Sequence, residues 1–198
     1  MEKGLPEYQV RFFSLPKPRS SIALEMVEVF DYAGTICKAL SRGVLLTTRS
    51  GDRVNTMTIG WGKIGVEWGK PVFVVYVRES RYTKQLLDEA GEFTVNVPLI
   101  GDNREILGYC GRKSGRDTDK IRDMGLTVVD SDVVSVPGIA QFPLTLECKV
   151  IYRQEQDIRQ MPQGVIDKFY PLCEKTQAPD MHTAFYGEIV NAYLIEDN

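Results

Sequence analysis

The chain has 198 residues, of which 43% are hydrophobic and 26% charged, so it is long enough for one globular domain with a core of its own. With 24 basic and 27 acidic residues the net charge is −3, which gives no support for a nucleic-acid surface or an anionic-membrane surface. The apolar runs are too short to span a bilayer and the N-terminus lacks the order of a signal peptide, so we expect a cytoplasmic protein.

The first predicted elements are an edge strand, a helix and a hairpin. Residues 8–13 alternate as an edge strand would, and apolar residues at helical spacing predict a short helix over residues 31–40, capped by Asp31. Residues 43–49 and the strand that begins at Val54 flank a Ser-Gly-Asp turn, so we predict that they pair as a β-hairpin.

The second hairpin strand, VNTMTIGWG, has two different faces. In a strand, Asn55, Met57, Ile59 and Trp61 point one way and can pack a core, whereas Val54, Thr56, Thr58 and Gly60 point the other way. The second face is small and hydroxyl-bearing, so a planar ligand could lie against it near Gly60. An ordinary half-exposed strand gives the same alternation, and the pattern alone does not separate the two interpretations.

The next stretch combines a buried strand with a helix start. Residues 71–77 are almost continuously apolar and β-branched, which predicts a strand buried on both faces. Ser80 then stands as the N-cap of a helix that stops at Gly91. Arg78 and Arg81 stand beside this helix start, where free N–H groups and the positive dipole end favour a phosphate. The alternative is a capped helix with solvated arginines.

Two glycine-rich stretches resemble nucleotide motifs but lack the required context. Residues 60–65 match G-x-G-x-x-G, yet that motif needs a following helix, and here the chain continues into another strand. Residues 108–114 only suggest a P-loop, because the glycines are too close together and Arg112 precedes the lysine.

A polar, charge-rich segment lies near the middle of the chain. A strand over residues 92–97 and a helical stretch from about Asp102 precede it. The segment itself, residues 111–120, is consistent with a solvated loop before a helix capped by Asp117 or Thr118.

The C-terminal part supplies more strands. We predict strands over residues 126–129 and 143–152, a short helix over 163–170 and a long closing strand over 182–195 that is kinked or bulged at Gly187. Short strand spacing with few interposed helices favours a mainly β, mostly antiparallel barrel over a βαβ fold.

Histidine and cysteine content limits the chemistry. His182 is the one histidine, which excludes metal sites built from several histidines within one chain, and no metal site is predicted. A lone histidine at a strand start is commonly an incidental surface or capping residue. The four cysteines include no Cys-x-x-Cys pair, so neither a redox dithiol nor a zinc knuckle is indicated.

Four short stretches together resemble one known family. They are NTMTIGWG from Asn55, WGKP from Trp68, RESRYT from Arg78 and SGRDTDK from Ser114. They resemble the flavin reductase-like family of FMN-binding split barrels, which includes the flavoredoxins, and the resemblance extends over about residues 43–189. It implies an antiparallel FMN-binding split β-barrel, which we expect to form a single domain over residues 1–198.

The resemblance also implies a site for FMN. The ring is expected on the Thr56–Gly60 strand face, the phosphate at the helix start, and Lys113, Ser114 and Gly115 along the flavin. His182 is a candidate catalytic residue by its spacing before Gly187-Glu188, although many relatives have Gly-Asp where this chain has Asp180-Met181. The expected cofactor-binding residues are Asn55, Thr56, Met57, Thr58, Ile59, Gly60, Trp61, Arg78, Ser80, Arg81, Tyr82, Thr83, Asn96, Lys113, Ser114, Gly115, Asp117 and Lys120.

Three functions fit this resemblance. The first is an oxidoreductase that passes hydride or electrons from NAD(P)H through FMN, as a flavin reductase with a partner oxygenase or a small substrate. The second is a flavoredoxin-type electron carrier for a redox protein partner, and the third is a non-catalytic flavin- or haem-binding module. The family also implies a homodimer with flavin sites near the subunit interface. The sequence does not distinguish NADH from NADPH, because it contains no nicotinamide fingerprint.

Overall fold

The computed structural model describes residues 22–99, 101–174 and 176–196. These residues form a mostly antiparallel β-sheet with a few helices, as the strand spacing predicts. The edge strand predicted over residues 8–13 lies outside the described residues. Within the described ranges, no helix is long and apolar enough to cross a membrane.

The described elements alternate in short steps along the chain. The strands are β1 (Leu24–Met26), β2 (Val44–Ser50), β3 (Arg53–Ile59), β4 (Gly62–Glu67), β5 (Lys70–Arg78), β6 (Glu92–Val97), β7 (Val128–Val129), β8 (Gly138–Ile139), β9 (Leu144–Glu155) and β10 (His182–Ile195). The helices are α1 (Ala33–Leu40), α2 (Tyr82–Ala90), α3 (Arg104–Arg112), α4 (Lys120–Asp123) and α5 (Gln163–Phe169), with 3-10 turns at Val29–Tyr32 and Ile158–Gln160.

The main sheet curls into a barrel that is open along one side. Its order is β3-β2-β6-β9-β10-β5-β4, with β1 added to β10, and every pairing is antiparallel. β3 and β4 stand at opposite ends of this order, although only Gly60 and Trp61 separate them in sequence. Among the described strands β3 pairs with β2 alone, and its other edge faces the opening, where β3 approaches β5.

The core fills the inside of this barrel. Leu46 and Phe73 are fully buried there, and Ile36 of α1 and Leu87 of α2 close it from the helical side. β5 is buried on both faces as predicted, because alternate residues join this core and a second cluster around Val74. A third cluster packs α3 and α4 against the outer side of β2.

Several sequence predictions are confirmed at the level of elements. β2 and β3 pair as the predicted hairpin, and β6 has the predicted bounds. β10 has the predicted bounds, and its pairing with β9 shifts register between Tyr186 and Gly187. A Cβ at Gly187 would lie 2.4 Å from Cζ of Phe93, so the bulge needs glycine to let the core ring approach the backbone.

The predicted caps of α1 and α4 are wrong. Asp31 lies within a 3-10 turn, and α1 begins only at Ala33 with Tyr32 as its N-cap. Neither Asp117 nor Thr118 caps α4, since both precede its N-cap and lie in a turn in which their N–H groups donate to the carbonyl of Ser114. The cap is Asp119, whose carboxylate accepts from the N–H of Arg122.

Candidate functional site

A cleft runs along the free edge of β3. One part of it, about 200 Å³ in volume, is lined by five consecutive residues, 57–61, and by Tyr76, Arg78, Arg81 and His182 on the other side. A strand that offered a face would line a cleft with alternate residues, whereas consecutive residues mean that it offers its edge. The cleft therefore faces backbone N–H and C=O groups that have no partner strand among the described residues.

The hydroxyl-bearing face predicted for a planar ligand is not open, which corrects that expectation. Thr56 is fully buried, and its hydroxyl accepts a hydrogen bond from the Thr47 hydroxyl at 3.1 Å on this same face of the hairpin. Thr58 donates its hydroxyl to the carbonyl of Leu107 at 2.7 Å, because α3 covers this face. Only the edge of the strand reaches the cleft.

The start of α2 lies at the next part of the cleft and has no side-chain cap among the described residues. Arg81 is the N-cap residue, and Ser80 is not, which corrects the predicted cap. Asp180 accepts hydrogen bonds from both the Ser80 hydroxyl, at 2.6 Å, and the Ser80 N–H, at 3.0 Å. Since the hydroxyl is held by another element, the first N–H groups of α2 stay available to an anion.

This second part of the cleft has a volume of about 300 Å³ and a cationic lining. It adjoins the first part, because Met57 and Arg81 line both. Four cations line it together with one carboxylate, that of Asp117; they are Arg81, Lys113, Arg116 and Lys120. An excess of positive charge at an uncapped helix start favours a dianionic group such as a phosphate.

Lys120 lies behind this cavity and is almost completely buried. Its Nζ lies 3.4 Å from the carbonyl oxygen of Cys110 and 3.3 Å from that of Lys113, so it satisfies groups at the end of α3. Burial lowers the pKa of Lys120 to about 8. The residue is thus a partly desolvated cation beside the anion-binding part of the cleft.

The loop around Gly115 is fixed by close contact with β3. A Cβ at Gly115 would clash with Oδ1 of Asn55 and lie 3.1 Å from the ring of Tyr82, so a residue larger than glycine requires movement of the loop or of the Asn55 side chain. The amide of Asn55 also donates to Oγ1 of Thr83 at 2.8 Å. The buried Asn55 side chain therefore joins β3, α2 and the 114–117 loop into one wall.

Three aromatic residues, Trp61, Phe169 and Tyr170, lie around His182 at the mouth of the cleft. The imidazole lies 4.8 Å from the Trp61 ring in a tilted arrangement, and its Nδ1 lies 2.9 Å from the Tyr170 hydroxyl. Phe169 meets the same indole edge to face at 5.2 Å. Burial, and the nearby charge of Arg78, lower the pKa of His182 to about 4, so the imidazole is neutral at neutral pH.

Arg78 is committed to structural contacts. Its guanidinium donates to the carbonyl oxygens of Asp180, at 2.6 Å, and Phe169, at 2.8 Å, and stacks over the ring of Tyr170. It therefore ties the segment between β9 and β10 to the end of β5. Asp180 takes part in this tie through its backbone carbonyl.

Most of the predicted site residues come together in the cleft. Three predicted residues, Asn55, Thr56 and Asn96, do not line it, and four further residues that line the cleft were not predicted. Met57, Thr58, Ile59, Gly60, Trp61, Arg78, Ser80, Arg81, Tyr82, Thr83, Lys113, Ser114, Gly115, Asp117, Lys120 and His182 line its two parts. Asn96 does not, because it is fully buried and bonds Thr47 and Thr145 beyond β2. Tyr76, Cys110, Gly111 and Arg116 also line the cleft and were missed. Arg116 stands inside the SGRDTDK stretch and could have been found there, whereas Tyr76 carries no local signal.

A metal is not suggested by the donor groups. No cluster of three or more His, Cys, Asp or Glu side chains suited to a metal ion occurs in the part of the chain that the structure describes. The cleft instead combines an uncapped helix start, suited to an anion, with a free strand edge.

The chain is similar in sequence to known proteins. An uncharacterized protein of Archaeoglobus fulgidus is 34% identical over 104 residues, which are 52% of this chain and 58% of that protein, so the chain spans under two thirds of that relative. A flavoredoxin from Methanosarcina acetivorans is 28% identical with a TM-score of 0.58, covering 78% of this chain and 68% of that one.

The fold is shared with split-barrel proteins at lower identity. An FMN-binding domain of a flavin reductase-like enzyme from Shewanella baltica has a TM-score of 0.60 at 18% identity, covering 88% of this chain and 78% of that one. The family model described as flavin reductase like domain matches residues 38–198. With most of the chain matched and the split-barrel fold in place, the chain belongs to the flavin reductase-like domain family.

Proposed function

We propose that the chain binds FMN in this cleft and acts as an oxidoreductase that takes hydride or electrons from NAD(P)H. The observation that carries the proposal is the meeting, in one cleft, of an uncapped helix start with cations around it and a free strand edge. The first suits a phosphate, and the second suits a planar group with hydrogen-bonding atoms along its rim. FMN has both at opposite ends.

The phosphate end is met by α2 and the residues facing it. Tyr82 and Thr83 at the uncapped start of α2 line the cavity, and Arg81 lines it as well. Thr83 accepts a hydrogen bond from Asn55, so its own hydroxyl hydrogen remains free to be donated to a phosphate oxygen. Lys113 and Lys120 add positive charge from the other wall against the roughly two negative charges of the phosphate.

At the other end of the cleft, the flavin ring would contact backbone groups of residues 57–61 rather than charged side chains. When bound, FMN supplies the hydride and electron chemistry, and the protein supplies orientation and electrostatics. Lys113 lines the phosphate end, so N–H groups along residues 57–61 are the donors we assign to negative charge that develops on the ring. Trp61 and the neutral His182 form an aromatic wall at the mouth, and His182 serves there as a positioning residue.

The absorption spectrum of the purified protein tests this proposal. FMN is added to the protein, which is made anaerobic and then mixed with NADH and, separately, with NADPH. We expect a protein-bound flavin band that bleaches with one or both donors. Absence of any bound flavin after FMN addition would contradict the cofactor assignment. Bleaching that is no faster with the protein than with free FMN alone would contradict the enzymatic assignment.

An electron carrier is the second candidate function, favoured by the likeness to the flavoredoxin of Methanosarcina acetivorans. In that case the bound flavin stays oxidised with both nicotinamides and is bleached by a reduced redox protein. If the bound flavin is reduced neither by a nicotinamide nor by a redox protein, the chain is a flavin-binding module without turnover.

Arg81→Ala tests the phosphate position separately. The guanidinium is exposed, so its loss should not disturb the fold, and we expect FMN affinity to fall tenfold or more because a charge-assisted hydrogen bond contributes about 1.5–3 kcal/mol. Affinity is measured by quenching of flavin fluorescence. Arg104→Ala is the matched control, since Arg104 is exposed and pairs with Asp102. Equal affinity in the Arg81 variant and the control would refute the assignment.

A further inference from the structure

Lys120 is a buried cation in the wall of the cleft. Its exposed fraction is 4%, and it lines both the cationic part of the cleft and a neighbouring space of about 520 Å³ between the start of β3 and residues 115–122. Removing an ammonium group from water is costly unless other groups replace the water. Within the described ranges no carboxylate forms an ion pair with Lys120, so its charge is not neutralised by an acidic partner there.

The ammonium group of Lys120 instead binds the end of α3. Its Nζ lies 3.4 Å from the carbonyl oxygen of Cys110, in the last turn of that helix, and 3.3 Å from that of Lys113, the C-cap residue. The last carbonyl groups of a helix carry partial negative charge, so they bind a cation more strongly than a neutral amine. From Lys113 the chain continues through Ser114 along the wall of the cleft. The charge of Lys120 therefore stabilises this wall.

Charged and titratable groups from several elements line the same two spaces as Lys120. They are Cys110 and Lys113 at the end of α3, Arg81 and Tyr82 at the start of α2, Asp52 and Arg53 at the start of β3, and Arg116, Asp117, Asp119 and Arg122 along the following loop and α4.

Burial sets the charge of Lys120 in these surroundings. It lowers the pKa of Lys120 to about 8, with a smaller contribution from the positive charge of Arg81. Burial also raises the pKa of the Cys110 thiol, so this neighbour does not lose its proton before Lys120 does. Lys120 therefore changes its charge in the weakly alkaline range, while it lies between the end of α3 and the anion-binding part of the cleft.

We propose that flavin binding is linked to a proton on Lys120, which must be charged both to hold the wall of the cleft and to attract the flavin phosphate. This inference rests on the proposed function, because it takes the phosphate position at the start of α2 as given. A dianionic phosphate stabilises the ammonium form, so the pKa of Lys120 is higher in the complex than in the free protein. The affinity for FMN therefore falls as the pH rises above about 8, and FMN binding takes up a proton in that range.

Fluorescence titrations with FMN between pH 7 and pH 9 test this linkage. With a pKa of about 8 in the free protein, we expect the dissociation constant of the wild type to rise about tenfold over this range. The phosphate itself contributes little, because its second ionisation lies near pH 6. Lys120→Arg keeps its charge throughout, so its affinity should change by less than about twofold. Lys120→Met has no charge to lose, so we expect weak binding at pH 7 that stays weak at pH 9.

Lys113→Gln is the matched control. Lys113 lines the same cavity as Lys120, but its side chain is exposed. Its loss should weaken FMN binding at every pH and preserve the tenfold change across the range. A merely structural role for Lys120 would weaken binding in Lys120→Met and leave the same pH dependence in place. Circular dichroism verifies that each variant is folded.

Calorimetry of the wild type tests the proton directly and needs no variant. FMN is titrated into the protein at pH 8 in two buffers of different ionisation enthalpy, and the difference in heat gives the number of protons exchanged. We expect uptake of about half a proton per FMN, because about half of the free protein has an uncharged Lys120 at that pH. Binding without proton uptake, or a folded Lys120→Arg variant with the wild-type pH dependence, would overturn the linkage alone. Failure of FMN to bind at any pH would overturn the proposed function with it.

Discussion

His182 is buried beside the positive charge of Arg78, and both effects favour the uncharged imidazole. Because burial lowers the pKa of His182 to about 4 in the folded protein, against an ordinary 6.5, the unfolded chain binds a proton that the folded chain lacks between these two pH values. The contribution of His182 to stability is therefore complete above pH 6.5 and is lost as the pH falls toward 4. The full loss is about 3 kcal/mol.

NMR measures this titration directly, because the chain has one histidine. We expect the imidazole signals to titrate with a midpoint near pH 4, and the wild type to lose more stability on acidification than His182→Gln does in urea unfolding. A midpoint near 6.5 would contradict the lowered pKa. Tyr170→Phe is a useful second variant, since it removes the hydroxyl and keeps the ring.

Single residues also show the limit of reasoning from sequence. Ser80 has the local features of an N-cap, yet Asp180, one hundred positions later, takes its hydroxyl and its N–H. Thr56 and Asn96 have polar side chains suited to a ligand, but both accept hydrogen bonds from the buried hydroxyl of Thr47 on a neighbouring strand. The sequence indicates that such groups need partners, and tertiary contacts decide which partners they have.

At the scale of an element, β9 carries a fully buried carboxylate that holds a loop in place. Oε2 of Glu147 accepts from the N–H groups of Val133 and Val134 at 2.7 and 2.8 Å, and Oε1 accepts from the N–H of Asp132 and the amide of Asn191. The loop before β8 therefore donates three backbone N–H groups to one side chain.

Glu147→Gln tests this role. A glutamine amide would place N–H groups against donors at one of the two positions, so we expect the free energy of unfolding to fall by at least about 2 kcal/mol. Urea denaturation measures the change. Glu155→Gln, exposed at the end of the same strand, is the control and should stay within about 0.5 kcal/mol of the wild type. A similar small change at Glu147 would mean that the loop is held by other contacts.

Elements with a strong local pattern are predicted well, and elements defined by long-range contacts are not. The apolar run of β5 and the alternation of β6 depend on the sequence itself, and both are found. β4 has a glycine-rich sequence without clear alternation and was missed as a strand; it is held as one by pairing with β5. The cleft has the same origin, because the free edge of β3 follows from the strand order and not from its residues.

At the scale of the whole molecule, one outer surface of the barrel carries a cluster of aromatic side chains. We call it the aromatic face; it comprises Trp68, Tyr76, Tyr152 and Tyr186 over the buried Val74. Trp68 is 64% exposed and Tyr152 is 42% exposed, and their rings contact each other at 6.0 Å. Exposed apolar patches of this kind mark interaction surfaces.

We propose that the aromatic face binds a second copy of the chain. Charges of both signs border the face, with Lys63 and Lys70 near Glu67 and Glu188, so the surface is complementary to itself as a two-fold interface requires. Tyr76 belongs to both the face and the cleft, so a partner on this face would also lie beside the proposed ring site.

Light scattering after size-exclusion chromatography tests the dimer. We expect the wild type to have twice the mass of one chain and Trp68→Glu/Tyr152→Glu to have the mass of one, because four carboxylates brought together across a two-fold interface would repel one another. Leu172→Glu is the matched control, since Leu172 is 66% exposed at a distance along the chain from this face. A monomeric wild type, or a folded double variant that stays dimeric, would refute the interface. If the dimer also completes the cleft, the monomeric variant should bind FMN more weakly than the control does, in the same fluorescence titration.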